Sequence, residues 1–167
     1  MNNIDVITSR IIPRQEIPAF VERLRLKSKR IVFTNGCFDL LHLGHIDYLS
    51  KAADLGDILI VGLNSDASTS ALKGPGRPIN NEESRKHILA SLFFVGAVVV
   101  FDEPTPEALI REIMPDVLVK GGDYKPETIV GYSTVTQNGG EVVIIDFVEG
   151  YSTSALEKKI VEGSRKQ

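Results

Sequence analysis

The stretch Ile31-Val-Phe-Thr-Asn-Gly-Cys-Phe-Asp-Leu-Leu-His-Leu-Gly-His45 decides how the rest of the chain is read. Ile31 to Phe33 is an apolar run of strand formers. Asn35-Gly36 interrupts it, and a helix candidate opens near Leu43 and runs to about Leu55. A helix N-terminus presents unpaired N–H groups and partial positive charge, and so attracts phosphate. His42 and His45 stand three residues apart at that helix start, where they share one face and can donate to the same phosphate chain. Gly44 lets a ligand approach the backbone closely. The stretch reads as a nucleotide phosphate site, with Thr34, Asn35, Gly36, Cys37, Phe38 and Asp39 among its binding residues.

At 167 residues the chain is one domain, or one domain with a short arm. A chain of that size buries roughly two-thirds of its unfolded surface, enough for a self-sufficient core. Apolar content of 43% and charged content of 25% are ordinary for a soluble globular protein. The net charge of −3 argues against a general nucleic-acid binder, while a phosphorylated ligand needs only local positive charge. Cys37 is the one cysteine, which excludes an internal disulfide framework and fits a reducing compartment. No apolar run approaches the roughly 20 residues of a membrane helix. Met1 to Val6 lacks the charged-then-apolar pattern of a secretion signal. The expectation is a cytoplasmic protein with no membrane or nucleic-acid partner.

Ile17, Phe20, Val21 and Leu24 fall at helical spacing, so residues 15–28 read as an amphipathic helix with a solvated basic face. A polyanion-binding arm is the other reading of that face. Asp57 to Asn64 is a buried strand, and Asn64-Ser65-Asp66 starts another helix. Lys73 to Pro78 is a loop rich in turn formers. Asn80 or Asn81 caps a helix that carries Arg85 and runs to about Phe94. Ala97 to Phe101 is a third strand. Thr105-Pro106 opens a helix ending before Pro115. Asp116 to Lys120 and Glu141 to Asp146 are the fourth and fifth strands. Ser152 or Thr153 caps a last helix to about Val161, and residues 163–167 fray.

Strands alternating with helices define an α/β domain. The expected fold is Rossmann-like and doubly wound, a five-stranded parallel sheet with helices on both faces. Residues 1–29 form a helical arm packed on a domain spanning 30–167. Such sheets bind ligands beyond the strand C-termini, at the switch in strand order. The polar motifs all follow strand ends, so they converge on one rim. Lys73 gives that rim a mobile point charge, and Arg77 and Arg85 give planar forks suited to phosphate oxygens. Gly121 and Gly122 permit close backbone approach to a base or sugar. His-x-x-His also opens some zinc sites. Here only Cys37 and His87 remain to complete a tetrahedral set, which makes zinc a poor fit.

Asn35-Gly36-Cys37-Phe38-Asp39 with His42-Leu43-Gly44-His45 resembles the HxGH nucleotidyltransferases. The pieces Asn64-Ser65-Asp66-Ala67-Ser68, Leu72-Lys73-Gly74, Arg77-Pro78, Leu118 to Tyr124 and Gly150-Tyr151-Ser152-Thr153 narrow the resemblance to the ADP-heptose synthase type, heptose 1-phosphate adenylyltransferase. They occur in family order over about residues 30–162. The resemblance implies transfer of AMP from ATP to D-glycero-β-D-manno-heptose 1-phosphate, with Mg²⁺ accompanying ATP. It implies His42, His45 and Lys73 as catalytic residues. It implies nucleotide contacts at Asn64, Asp66, Arg77, Arg85, Lys120, Gly121, Gly122, Asp123, Gly150, Ser152 and Thr153. Asp123 resembles the family acid that meets Mg²⁺ or a substrate hydroxyl, so it is the expected metal residue. Direct displacement needs no covalent intermediate, so Cys37 reads as a small packed residue and not a nucleophile. A separate sugar kinase would supply the 1-phosphate, and a homodimer is plausible by resemblance.

The nearest enzyme alternative is glycerol-3-phosphate cytidylyltransferase, whose signature Arg-Thr-Glu-Gly-Ile-Ser-Thr aligns with Phe147 to Thr153. Phe147 stands where that family has arginine. Val130 to Gln137 also departs from the heptose pattern. An archaeal-type FAD synthase shares the opening motif, but the later pieces fit it less well. A non-catalytic nucleotide-binding regulator on the same fold would be marked by a lost histidine or lysine, and both histidines and Lys73 are present.

Overall fold

A computed structural model describes residues 2–122 and 124–164. In chain order the elements are α1 (Asn3–Thr8), α2 (Ile17–Leu26), β1 (Ile31–Gly36), α3 (Leu43–Ala53), β2 (Ile58–Asn64), α4 (Asp66–Lys73), α5 (Glu82–Ser91), β3 (Ala97–Phe101), α6 (Glu107–Ile113), β4 (Val117–Gly121), α7 (Tyr132–Gln137), β5 (Glu141–Ile145) and α8 (Thr153–Ser164). Short 3₁₀ turns precede α2 and α7. The five strands form one parallel sheet in the order β3-β2-β1-β4-β5. The chain therefore winds outward from β1 to β3, then crosses back to place β4 on the other side of β1. That reversal is the doubly wound switch point, and it lies between β1 and β4.

Alternation along each strand divides the core in two. Ile31 and Phe33 point to one face, where Ile17, Val21, Leu109, Ile110, Ile113 and Val135 of α2, α6 and α7 cover them. Val32 points to the other, against Tyr48, Leu49 and Ala52 of α3 and Leu89 and Ala90 of α5. Both faces are buried, which is why the strands are nearly continuous apolar runs.

The ladders are unequal. β1 pairs with β2 through six residue partners, from Ile31 with Ile58 to Gly36 with Leu63. β1 pairs with β4 through only two, Val32 with Val117 and Phe33 with Leu118. Beyond Phe33 the two central strands part. Tyr48 of α3 fills the gap: its hydroxyl lies 2.6 Å from Thr34 Oγ1 and donates to the Val119 carbonyl at 3.2 Å. Burial pushes the Tyr48 phenol up to about 12.

Residues before β1 are bound into this sheet. Ile11 bridges Val98 at the open edge of β3, and Arg10 donates to the Ala90 and Leu92 carbonyls at 3.2 Å. Within the helix expected to carry a basic face, Arg25 is drawn into an ion pair and Arg23 lies over the Phe20 ring, while basic residues flanking the helix are paired as well. Arg14 meets Glu103 and Glu112, Arg25 meets Asp116, and Lys29 meets Asp57. Among the described residues no helix is long and apolar enough to cross a membrane. α8 continues to Ser164 where fraying was expected from residue 163; residues 165–167 lie outside the described residues.

Candidate active site

β1 delivers Asn35 and Gly36 to the rim, and the chain then turns sharply, with Phe38 in the left-handed region at φ 44°. The Phe38 ring folds back so closely that a Cβ on Gly36 would lie 3.0 Å from it. Its edge meets the His45 ring, centroids 5.5 Å apart. His42 is the N-cap of α3, and its carbonyl accepts from His45 N at 2.9 Å. The His42 and His45 rings stack, centroids 3.9 Å apart and 26° between planes. The Nδ1 atoms of both are buried with no hydrogen-bond partner among the described residues. Burial lowers the His42 imidazole. Burial, aided by the positive ends of His42 and Lys73, lowers His45 to about 4. Both rings are therefore neutral at pH 7 in the ligand-free protein.

A cleft of about 260 Å³ opens over the β1–β4 gap. Asn35, Gly36, Cys37, Phe38 and Asp39 line one side, with His45 and Lys73 beside them. Lys120, Gly121 and Thr153 line the other. Lys73 is the last residue of α4 and is exposed. Lys120 has its ammonium lowered by burial. Neither lysine has a carboxylate partner among the described residues. Tyr48, Tyr124 and Phe147 complete the lining. Gly150 and Ser152 do not line it; Ser152 Oγ accepts from Ala155 N at 3.1 Å and caps α8.

Several residues expected at phosphate are placed elsewhere. Arg85 is 1% exposed and does not reach the cleft. It donates to the carbonyls of Cys37 (2.6 Å), Asn64 (2.9 Å) and Asn80 (2.9 Å), and to Asp66 Oδ1 (2.7 Å). It thus ties the loop after β1 to the end of β2 and the start of α4. The expectation of a phosphate fork is corrected because every arm of the guanidinium is already taken. Asp66 is drawn onto Arg85, and the Asn64 amide donates to Ser68 Oγ at 2.9 Å. Asp39 is buried and accepts from Ile79 N (2.8 Å) and Asn80 N (2.9 Å). Arg77 Nε lies 3.1 Å from Asp39 and Nη1 lies 3.0 Å from Glu157. Asp39 and Arg77 therefore secure the loop between α4 and α5, although Arg77 Nη1 makes no hydrogen bond among the described residues. Thr34 is buried on Tyr48.

The glycines also answer to protein neighbours. A Cβ on Gly44 would meet His42 Nδ1 at 3.1 Å and Tyr151 Cβ at 3.2 Å. One on Gly121 would lie 2.5 Å from the Phe147 ring, and Gly122 adopts φ 103° beneath the same ring. These small residues make room for His42, Tyr151 and Phe147 as well as for any ligand. Asp123 lies outside the described residues. Sequence reasoning missed Tyr48 as a site residue. Its only signal was its place on the face of α3 that follows His45 at helical spacing.

The family model described as cytidylyltransferase-like matches residues 33–158. The chain belongs to the cytidylyltransferase-like family. This cytidylyltransferase-like chain is 53% identical over 154 residues to the bifunctional protein HldE of Syntrophotalea carbinolica, covering 92% of the chain and 31% of that relative. It is 56% identical over 151 residues to bifunctional HldE of Wolinella succinogenes, covering 90% of the chain and again 31% of the relative. The chain spans about a third of the length of the curated relatives it matches. Among solved structures, the lipopolysaccharide core biosynthesis protein from Thermoplasma volcanium superposes with a TM-score of 0.59 at 28% identity, over 74% of this chain and 99% of that one. Pantoate-β-alanine ligase from Francisella tularensis, at 17% identity, covers 81% of this chain and 66% of its own. Its TM-score of 0.59 shows a shared fold.

Proposed function

We propose that this cytidylyltransferase-like chain transfers AMP from ATP to D-glycero-β-D-manno-heptose 1-phosphate, releasing pyrophosphate and giving ADP-heptose. The observation that carries the reading is the stacked pair His42 and His45 at the start of α3, of which His45 lines one cleft with Lys73 and Lys120. The motif resemblance to ADP-heptose synthase and the HldE relatives support the choice of nucleotide and sugar. The likeness to a lipopolysaccharide core biosynthesis protein agrees with it.

Such a transfer asks little covalent help from protein. A phosphate oxygen of the sugar attacks the α-phosphorus in line with departing pyrophosphate, and positioning and charge neutralisation do the work. Neutral His42 and His45 donate N–H to the α-phosphate, and their bonds strengthen as negative charge develops there. Lys73 and Lys120 neutralise phosphate oxygens. Backbone around Gly36 and Cys37, and the α8 start at Thr153, hold the nucleotide. Arg85, Asp39, Arg77, Asn64, Asp66 and Thr34 act by fixing the rim.

Mg²⁺ enters this proposal on the triphosphate. No three His, Cys, Asp or Glu side chains gather into a cage among the described residues. That donor set fits an ion bound chiefly by nucleotide oxygens, with Asp123 as the chain's acid toward it. When bound, Mg²⁺ neutralises charge on the leaving pyrophosphate. A separate kinase making the 1-phosphate, a homodimer and a cytoplasmic location belong to the same proposal.

The test is pyrophosphate release with Mg²⁺, crossing ATP and CTP with heptose 1-phosphate and glycerol 3-phosphate. Release only with ATP and heptose 1-phosphate is expected. Release with CTP and glycerol 3-phosphate would overturn the reading. Phe147 argues against that outcome, since its ring covers Gly121 and Gly122 where the cytidylyltransferase signature supplies a guanidinium.

A further inference from the structure

His42 and His45 lack the usual device that aims an imidazole. A neutral ring is ordinarily oriented by the hydrogen bond its second nitrogen makes, which also fixes the tautomer. Here both Nδ1 atoms are buried with no such partner among the described residues, which leaves Nε2 as the open nitrogen of each ring. Orientation must therefore come from packing.

The packing is a column of four rings. Phe38 meets His45 edge-on, with centroids 5.5 Å apart and 64° between planes. His45 stacks on His42 at 3.9 Å, and His42 stacks on Tyr151 at 6.4 Å, each with 26° between planes. Both outer spacings fall in the range where aromatic rings attract. The backbone makes room at each end. A Cβ on Gly36 would lie 3.0 Å from the Phe38 ring, and one on Gly44 would lie 3.1 Å from His42 Nδ1 and 3.2 Å from Tyr151 Cβ. The two ends differ in burial. Phe38 is buried with the core packed around α3, whereas Tyr151 is 46% exposed. The Tyr151 hydroxyl makes no hydrogen bond among the described residues, so what it offers His42 is a ring face and not a polar group.

α8 holds the exposed end in place. Tyr151 lies in the turn into that helix, just before Thr153 at the cleft wall. One turn further on, Glu157 lies 3.0 Å from Arg77 Nη1. Between residues 153 and 163 every side chain but Thr153 and Glu157 is exposed, so these two form the inward face of α8 and seat Tyr151 over His42.

We propose that Tyr151 is a positioning residue for nucleotidyl transfer: its ring closes the column over His42 and holds that imidazole parallel to His45, with Nε2 turned to the α-phosphate. This deepens the transferase reading above and rests on it. Without the ring, one face of His42 meets water and nothing stops the imidazole from turning. A donor acts on the transition state only while it is already aimed. ATP binding depends on it less, since the His42 bond strengthens only as charge develops.

Tyr151→Ala and Tyr151→Phe are compared by pyrophosphate release with ATP and heptose 1-phosphate. The expected result is a kcat lowered about tenfold in Tyr151→Ala, the scale of one aromatic pair, with both KM values unchanged and kcat restored in Tyr151→Phe. A wild-type kcat in Tyr151→Ala, an equal loss in Tyr151→Phe, or a loss carried by KM alone would overturn the assignment. A second measurement reads the ring without turnover: NMR cross-relaxation between His42 and His45 ring protons. It is expected to weaken in Tyr151→Ala and persist in Tyr151→Phe, and an unchanged signal in Tyr151→Ala overturns the assignment. Should the wild type turn over no ATP with heptose 1-phosphate, the transferase reading fails by itself, and the cross-relaxation alone decides whether Tyr151 positions His42.

Discussion

The His42 and His45 rings lie face to face, 3.9 Å between centroids, with neither Nδ1 engaged by another described residue. Two imidazoles this close cannot both be charged without mutual repulsion, so a neutral pair waits for an anion. Replacing either with alanine is expected to lower kcat by roughly 10²-fold or more, the scale of a lost transition-state donor. Steady-state pyrophosphate release checks this; near-normal turnover in both variants would remove them from the chemistry.

The same pair sets a pH dependence of stability. His45 falls from an ordinary 6.5 to about 4 in the folded chain, chiefly through burial. Between those values the unfolded chain binds the proton and the folded chain does not, so stability rises with pH. The contribution is complete above about 6.5 and is lost as pH falls toward 4. Thermal melts from pH 7 to 4 are expected to show a falling Tm whose slope shrinks in His45→Gln. An identical slope in the variant would place the effect elsewhere.

Arg85 joins three backbone carbonyls and Asp66 while buried. Arg85→Ala would leave those carbonyls unsatisfied, at a cost of about 3 kcal/mol or more. That corresponds to roughly 6–12 °C in Tm for a domain of this size. The contrast is with a phosphate ligand, whose loss would weaken ATP binding at little change in Tm. Calorimetric ATP titration beside a melt separates the two.

Tyr48 is one of four tyrosines and is held up at about 12. Spectrophotometric titration is expected to show a late phenol ionisation near pH 12, and Tyr48→Phe to abolish that late step. The variant also leaves Thr34 Oγ1 and the Val119 carbonyl without their bridge, costing about 1–2 kcal/mol. A late step that survives in Tyr48→Phe would belong to a different tyrosine.

Gly121 and Phe147 are coupled by contact, since a Cβ on Gly121 would enter the ring. Gly121→Ala is expected to raise the ATP KM by pushing the ring into the cleft, and Phe147→Ala to relieve most of that effect. A double-mutant cycle should return an interaction energy of about 1 kcal/mol or more, and additivity would show the two residues to be independent.

The alternation of apolar runs with amphipathic segments was enough to read the parallel sheet, because strands buried on both faces and their helices each have a strong period. Two helices escaped. α1 is six residues with no buried side chain, begun by a capping box between Asn2 and Asp5. α7, Tyr-Ser-Thr-Val-Thr-Gln, is rich in β-branched residues and buries only Val135, so neither propensity nor period announces it. The rim itself was legible in its glycines, histidines and lysines. Partner choice was not. An arginine that holds carbonyls and one that holds phosphate have the same letter, and Arg85 is told apart only by distances. Gly121 likewise reads as room for a ligand until Phe147 is seen lying over it.

The two-rung ladder between β1 and β4 has a mechanical meaning. The sheet is two leaves, one of three strands and one of two, each internally braced by five or six rungs and joined by a spine of two rungs and the Tyr48 clasp. Bending concentrates where the fewest backbone bonds resist it, so the leaves can gape or close at the spine while each stays rigid. His45 and Lys73 ride on one leaf and Lys120 on the other. A substrate gripping both would act as a staple across the spine, and backbone amide exchange should slow most at the ends of β1 and β4 when it does.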